Sequence, residues 1–118
     1  MWKIKKELLE EIIRAAQKTC PYEFLCLLSG KNETIEEIVF IPNINGKNFV
    51  EINTHNIPID NTIIGTIHSH PHGENTPSKA DKKFFQNYQI NGIINYTYQI
   101  NQVRFYNKKG ETIEIEII

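Results

Sequence analysis

The chain is short of the features that most quickly settle a protein's class. It has two cysteines in 118 residues, Cys20 and Cys26, six positions apart. Two are too few for a disulfide framework, and the spacing is not that of a zinc ribbon, so both are read as free or buried thiols in a reducing compartment. No apolar run approaches the roughly twenty residues that span a bilayer. The start, Met1-Trp2-Lys3-Ile4-Lys5-Lys6-Glu7, lacks the apolar core of a signal peptide. The expectation is a cytoplasmic protein that engages no membrane. Neither sign of charge prevails: 13 Lys and Arg against 14 Asp and Glu leave a formal net charge of -1. Without a basic stripe, nucleic acid is not an expected partner. There is no internal repeat and no low-complexity segment beyond a general excess of Ile, Asn and Lys.

What is present reads as one globular domain over residues 1–118, long enough to bury a core without disulfides, with 40% hydrophobic and 23% charged residues. Ile4, Leu8, Leu9, Ile12, Ile13 and Ala16 recur at helical spacing and predict an amphipathic helix over residues 3 to 18, closed by Pro21. Phe24 to Ser29 reads as a buried strand ended by Gly30, Lys31 to Thr34 as a turn, and Ile35 to Ile41 as a second strand. Pro42 to Asp60 reads as irregular, with an Asn45-Gly46 turn and a brief strand around Phe49, Val50 and Ile52. Asn61 to His68 is β-like, and Ser78 starts a helix to about Gln89 with Phe84, Phe85 and Tyr88 on its buried face. Gly92 to Ile100, Gln102 to Asn107 and Glu111 to Ile118 predict a meander, the last strand having Thr112, Glu114 and Glu116 on a wet face.

The chemistry concentrates in His68-Ser69-His70-Pro71, followed by Ser78 and Asp81. In an extended segment His68 and His70 project to the same face and can reach one ion, while Ser69 points the other way. Asp81 falls at the third position of the helix capped by Ser78, across a loop stiffened by two prolines, and is aimed back at the strand end. Two imidazoles and a carboxylate suit a catalytic zinc, which takes three protein ligands and leaves a fourth position for water. Each part is ordinary alone: Ser-x-x-Asp is also a capping box, common in proteins without metal, and most histidines are not ligands. Their conjunction carries the reading. His72 would share the face only if the strand continued, and Pro71 argues that it does not. His55 has no partner spacing and reads as a surface histidine. A general base is also expected, and spacing leaves Glu23, Glu51 and Glu74 as candidates.

In order and spacing, Glu23, His68-Ser69-His70-Pro71 and Ser78-Lys79-Ala80-Asp81 resemble the motif of the JAMM or MPN-plus metallopeptidases, in the archaeal and bacterial single-domain form. Gly65, Phe84-Phe85 and Pro21-Tyr22-Glu23 before an apolar strand strengthen the likeness, while Cys26 departs from a position where many members carry glycine. The resemblance implies an α/β fold of the MPN, cytidine-deaminase-like type, with a strongly curved mixed sheet flanked by helices. It implies one zinc per chain on His68, His70 and Asp81, Glu23 as the base, and Ser78 as an oxyanion stabiliser. The implied activity is removal of a ubiquitin-like modifier from lysine conjugates or linear fusions, with the modifier's tail added beside a sheet edge near the zinc. The short segment from Pro42 to Asp60 favours a small archaeal-type modifier. Alternatives are a peptidase trimming one residue, such as cysteine, from a sulfur-carrier protein, and a non-catalytic MPN-minus scaffold. A homodimer is a family expectation.

Overall fold

A computed structural model describes residues 1–40 and 61–118. The expected strand around Phe49, Val50 and Ile52, together with Glu51 and His55, lies outside the described residues. In chain order the elements are β1 (Lys3–Ile4), α1 (Lys6–Thr19), β2 (Leu25–Lys31), β3 (Thr34–Phe40), β4 (Ile63–Ser69), α2 (Lys79–Phe85), β5 (Ile90–Ile94), β6 (Arg104–Tyr106), β7 (Thr112–Ile113) and β8 (Glu116–Ile117), with a 3₁₀ turn at Ile100–Gln102 before β6. The strands form one mixed sheet in the order β7-β6-β5-β4-β2-β3-β1-β8. Its two edges are consecutive strands, so the sheet is curled into a half-barrel.

Helix α1 buries Leu9, Ile12, Ile13 and Ala16, the face set by its periodicity. They pack with Phe24, Cys26, Leu28, Ile67, Ile90 and Ile94 on one face of the sheet. The alternation of β2 sends Leu25 and Leu27 to the other face, against Phe84 and Tyr88. Phe85 of α2 joins Ile93 and Tyr106 there. Each fully buried aliphatic or aromatic side chain contributes about 1.5–3 kcal/mol relative to exposure. Strand β4 lies between the two layers, antiparallel to β2 and parallel to β5, and is buried from Gly65 to Ser69. A strand covered on both faces is normally apolar throughout, yet this one carries a fully buried His68 next to its C-terminal end. Gly65 permits the close approach to β5: a Cβ there would run into the Ile90 carbonyl oxygen.

Several boundaries differ from the sequence reading. Residues 3 and 4 form β1 rather than a first helical turn, because they pair in parallel with Thr34 and Ile35, and Lys5 is extended. Strand β2 runs through Gly30 to Lys31, with a register shift at Ser29/Gly30, and the turn to β3 is the pair Asn32-Glu33, both at positive φ (52° and 60°). Helix α2 stops at Phe85 rather than near Gln89, since Asn87 and Tyr88 donate to Phe84 and Phe85, three residues back, and tighten the chain into turns. The meander β5-β6-β7 is antiparallel as expected, but its first strand ends at Ile94 and its last divides. Ile113 and Ile115 pack on the core, Thr112, Glu114 and Glu116 are exposed, and β8 crosses to pair with β1.

Candidate metal centre

Where β4 leaves the sheet, His68 Nε2 and His70 Nε2 stand 3.1 Å apart. Asp81, from the first turn of α2, meets both: Oδ1 is 3.3 Å from His68 Nε2 and Oδ2 is 3.1 Å from His70 Nε2. His68 is fully buried and Asp81 is 2% exposed, while His70 opens toward solvent. Among the described residues these three are the cluster of His, Cys, Asp and Glu donors able to hold a metal ion. His72 is exposed and outside it, as Pro71 suggested.

Backbone geometry builds the cluster. The Ser78 side chain accepts from the Asp81 N–H at 3.1 Å, and Asp81 Oδ2 accepts from the Ser78 N–H at 2.8 Å, a reciprocal capping box that fixes the carboxylate as it faces the strand. The C-terminal end of α2 is held by buried Asn91, whose Nδ2 donates to the Tyr88 and Phe85 carbonyls at 2.8 and 3.4 Å and whose Oδ1 accepts from Thr66 Oγ1 at 3.0 Å. His70 Nδ1 lies 2.6 Å from the Glu74 carbonyl oxygen, which accepts only, so Nδ1 carries the proton. Nε2 faces a carboxylate and a second imidazole nitrogen: when protonated it donates to Asp81 Oδ2, and when the ring is neutral it presents a bare lone pair to them. Electron pairs converging in this way call for a cation between them. The fit is also metric, since a tetrahedral zinc with bonds of about 2.0–2.1 Å holds its donors about 3.3 Å apart.

The electrostatics agree. Burial is the strongest influence on Asp81 and works upward, but hydrogen bonds from His68 and His70, the charge of His68 and the Ser78 N–H together hold the carboxyl far below its usual range. Burial lowers His68 despite Asp81. His70 is also opposed by burial, yet Asp81, the Glu74 carbonyl and the charge of Glu23 leave it above 6.5.

Glu23 stands beside this cluster. Burial raises its carboxyl, with Asp81 adding to the rise and His70 opposing it. Its Oε2 is buried with no hydrogen-bond partner among the described residues. Ser69, the residue between the two histidines, brings it there: its N–H donates to the Phe24 carbonyl and its Oγ accepts from the Phe24 N–H, both at 2.9 Å. The sequence reading missed this link, because the partners lie 45 residues apart. Glu74, the other described candidate base, has an exposed side chain and contributes its carbonyl instead. Cys20 and Cys26 are free thiols as expected, Cys26 buried and its pKa raised by that burial. Among the described residues no helix is long and apolar enough to cross a membrane.

Comparison with known proteins places this geometry. A family model for prokaryotic homologs of the JAB domain matches residues 5–107. A JAB1/MPN domain protein from Archaeoglobus fulgidus superposes with a TM-score of 0.80 at 34% identity, covering 98% of each chain. A structure described as JAMM, a metalloprotease-like zinc site in the proteasome and signalosome, gives 0.80 at 32% identity, covering 100% of this chain and 98% of the other. A probable metalloprotease of Haloferax volcanii is 24% identical over 98% of this chain and 78% of its own length. The chain therefore belongs to the prokaryotic JAB family, with the JAB1/MPN fold and the donor set of a JAMM metalloprotease-like centre.

Proposed function

We propose that the protein is a zinc-dependent isopeptidase that removes a small ubiquitin-like modifier from lysine side chains, holding one zinc per chain on His68, His70 and Asp81. The observation that carries this reading is the buried Oε2 of Glu23, unpartnered among the described residues, beside the three-donor cluster. A structural carboxylate in that position would be expected to be hydrogen-bonded, whereas one poised to take a proton needs a free lone pair and a pKa raised toward neutrality. When bound, zinc supplies Lewis acidity, which acidifies water and polarises an amide carbonyl.

The side chains divide the remaining work. Glu23 accepts the proton of the attacking water and delivers it to the leaving lysine amine, a role worth about 10²–10⁴ in rate. Ser78 Oγ accepts from the Asp81 N–H, which leaves its own proton to donate to the developing oxyanion, a contact worth about 10²–10³ in kcat. Ser69 holds the Glu23 segment against the strand that bears both histidines.

The test is metal analysis followed by cleavage of a modifier–lysine conjugate, with a sulfur carrier bearing one extra C-terminal residue as the competing substrate. The expected result is about one zinc per chain, chelator-sensitive release of the modifier, and a Glu23→Gln protein that keeps zinc but loses turnover. Wild-type turnover by that variant refutes the role of Glu23. Preference for the carrier refutes the substrate, and a metal-free protein with all three donors intact refutes the enzyme.

A further inference from the structure

Helix α2 is amphipathic in an unusual sense. Its inner face, Asp81, Phe84 and Phe85, builds the metal centre and core, and its outer face at i, i+3 and i+4 is Lys79, Lys82 and Lys83, all exposed. The turn before β7 adds Lys108 and Lys109, also exposed. The two groups are neighbours: a Cβ on Gly110 would lie 3.3 Å from Lys82 Cγ, so the stem of Lys82 covers the turn. Asn107 keeps the turn in shape, its Oδ1 accepting from the Lys109 and Glu111 N–H groups at 2.9 and 3.0 Å and its Nδ2 donating to Glu111 Oε1 at 3.0 Å. None of the five lysines has a carboxylate partner among the described residues.

The helix itself accounts for only part of this arrangement. Lys82 and Lys83 lie in the last turn, where the macrodipole favours cations, but Lys79 occupies the first position, where it disfavours one, and Lys79 and Lys83 repel at i, i+4. In a chain whose net charge is -1, five of 13 cations gathered on one face, three on the helix that carries Asp81 and two on the adjoining turn, point to a use outside the fold.

We infer that the face formed by Lys79, Lys82, Lys83, Lys108 and Lys109 is a docking surface for an acidic face of the modifier being removed. The inference rests on the isopeptidase reading. An enzyme that releases one modifier from many lysines meets different targets but the same modifier, so a fixed charged surface serves the invariant partner. Exposed lysines of this kind act on encounter and orientation, and their effect is screened by salt.

The test compares three substrates: a β-grasp modifier with an acidic surface joined to a lysine peptide, the same conjugate with its surface carboxylates changed to amides, and a short isopeptide with only the modifier's tail. For Lys82→Glu/Lys83→Glu/Lys108→Glu, the ratio of kcat/KM on the acidic conjugate to that on the short isopeptide falls at least about tenfold, mainly through KM. The amide conjugate does not discriminate, and Lys→Gln at the same positions gives an intermediate loss. An unchanged ratio, in a variant with wild-type melting and zinc content, overturns the docking surface. So does a uridine-rich RNA that binds the same lysines more tightly than the acidic modifier does. If wild-type protein cleaves none of the substrates, the isopeptidase reading fails on its own. Amide shift changes on titration with the free acidic modifier then decide the surface: changes centred on the five lysines support it, and none there refute it.

Discussion

Ser69→Ala is the perturbation that most directly tests how the site is assembled. Ser69 is fully buried and Phe24 is 7% exposed, so neither group of the 2.9 Å bond from the Phe24 N–H to Ser69 Oγ has water as a ready substitute. Removing the oxygen leaves a buried amide proton unsatisfied, a cost of about 1–3 kcal/mol, against a total stability for such a domain of about 5–15 kcal/mol. At this chain length about 4 °C of melting temperature is lost per kcal/mol, so the expected shift is about 4–12 °C. Calorimetry measures the loss, and hydrogen exchange localises it, since the Phe24 amide becomes selectively less protected. Ser69→Thr keeps the oxygen and recovers most of the loss. Zinc content should be unchanged in both variants, because the histidines project from the opposite face of β4, while turnover falls in Ser69→Ala as Glu23 loses its anchor. A Ser69→Ala protein with wild-type melting and an unchanged Phe24 exchange rate would show that the bond does not hold the two segments together.

The remaining expectations concern the supports of the centre and its proton balance. Asn91→Ala strands the buried Thr66 hydroxyl and the Tyr88 carbonyl; a loss of about 2–4 kcal/mol is expected in urea unfolding, and an unchanged midpoint would show that α2 needs no such clamp. Gly65→Ala forces a Cβ into the Ile90 backbone and should cost about 1–3 kcal/mol or more by overpacking, read as a lower denaturation midpoint. His70 has a folded pKa raised above 6.5, so its protonation stabilises the metal-free protein fully below that value and ceases to do so as the pH rises through the raised pKa. Zinc must displace this proton, and affinity measured by titration calorimetry should climb, with proton release, between about pH 6 and pH 8. Flat affinity with no proton release across that range contradicts the assigned state of His70. The Tyr98 phenol is pushed up to about 12 by burial beside Cys20; the stability it confers is complete below 10 and is lost as the pH rises through 12, which a tyrosinate absorbance titration followed alongside unfolding would test.

The parts of the fold that were legible are those with a local cause. Helix α1 announces itself through Leu9, Ile12, Ile13 and Ala16, and the same four residues are its buried face. The i, i+2 spacing of His68 and His70 needs only an extended backbone to put both rings on one ion. What was not legible depends on partners far along the chain. Two residues of β1 become a strand because Thr34 and Ile35 are there to pair with them, and nothing in Lys3-Ile4 distinguishes that from the first turn of a helix. The end of α2 is decided by tightening turns after Phe85 and by Asn91 taking the Tyr88 carbonyl. Glu23 could not be chosen over Glu51 or Glu74 by spacing; resemblance singled it out, and the Ser69–Phe24 bridge is the physical reason it stands beside the histidines.

The Ser78–Asp81 pair shows why a structural and a chemical reading of one motif need not compete. A capping box asks only that a hydroxyl accept from one N–H and a carboxylate accept from another. Here both bonds are made, and each leaves something over. Asp81 gives one lone pair of Oδ2 to the Ser78 N–H at 2.8 Å and still faces His70 with Oδ2 and His68 with Oδ1. Ser78 uses its oxygen as an acceptor and keeps its proton. An Asp rather than a Glu at the third helical position suits this double use: with one methylene fewer, the carboxylate that closes the cap stays rigidly at the helix start, where the two imidazoles converge. The cap therefore sets the position of the ligand before any ion arrives, so that the ordering cost is met during folding rather than on metal binding.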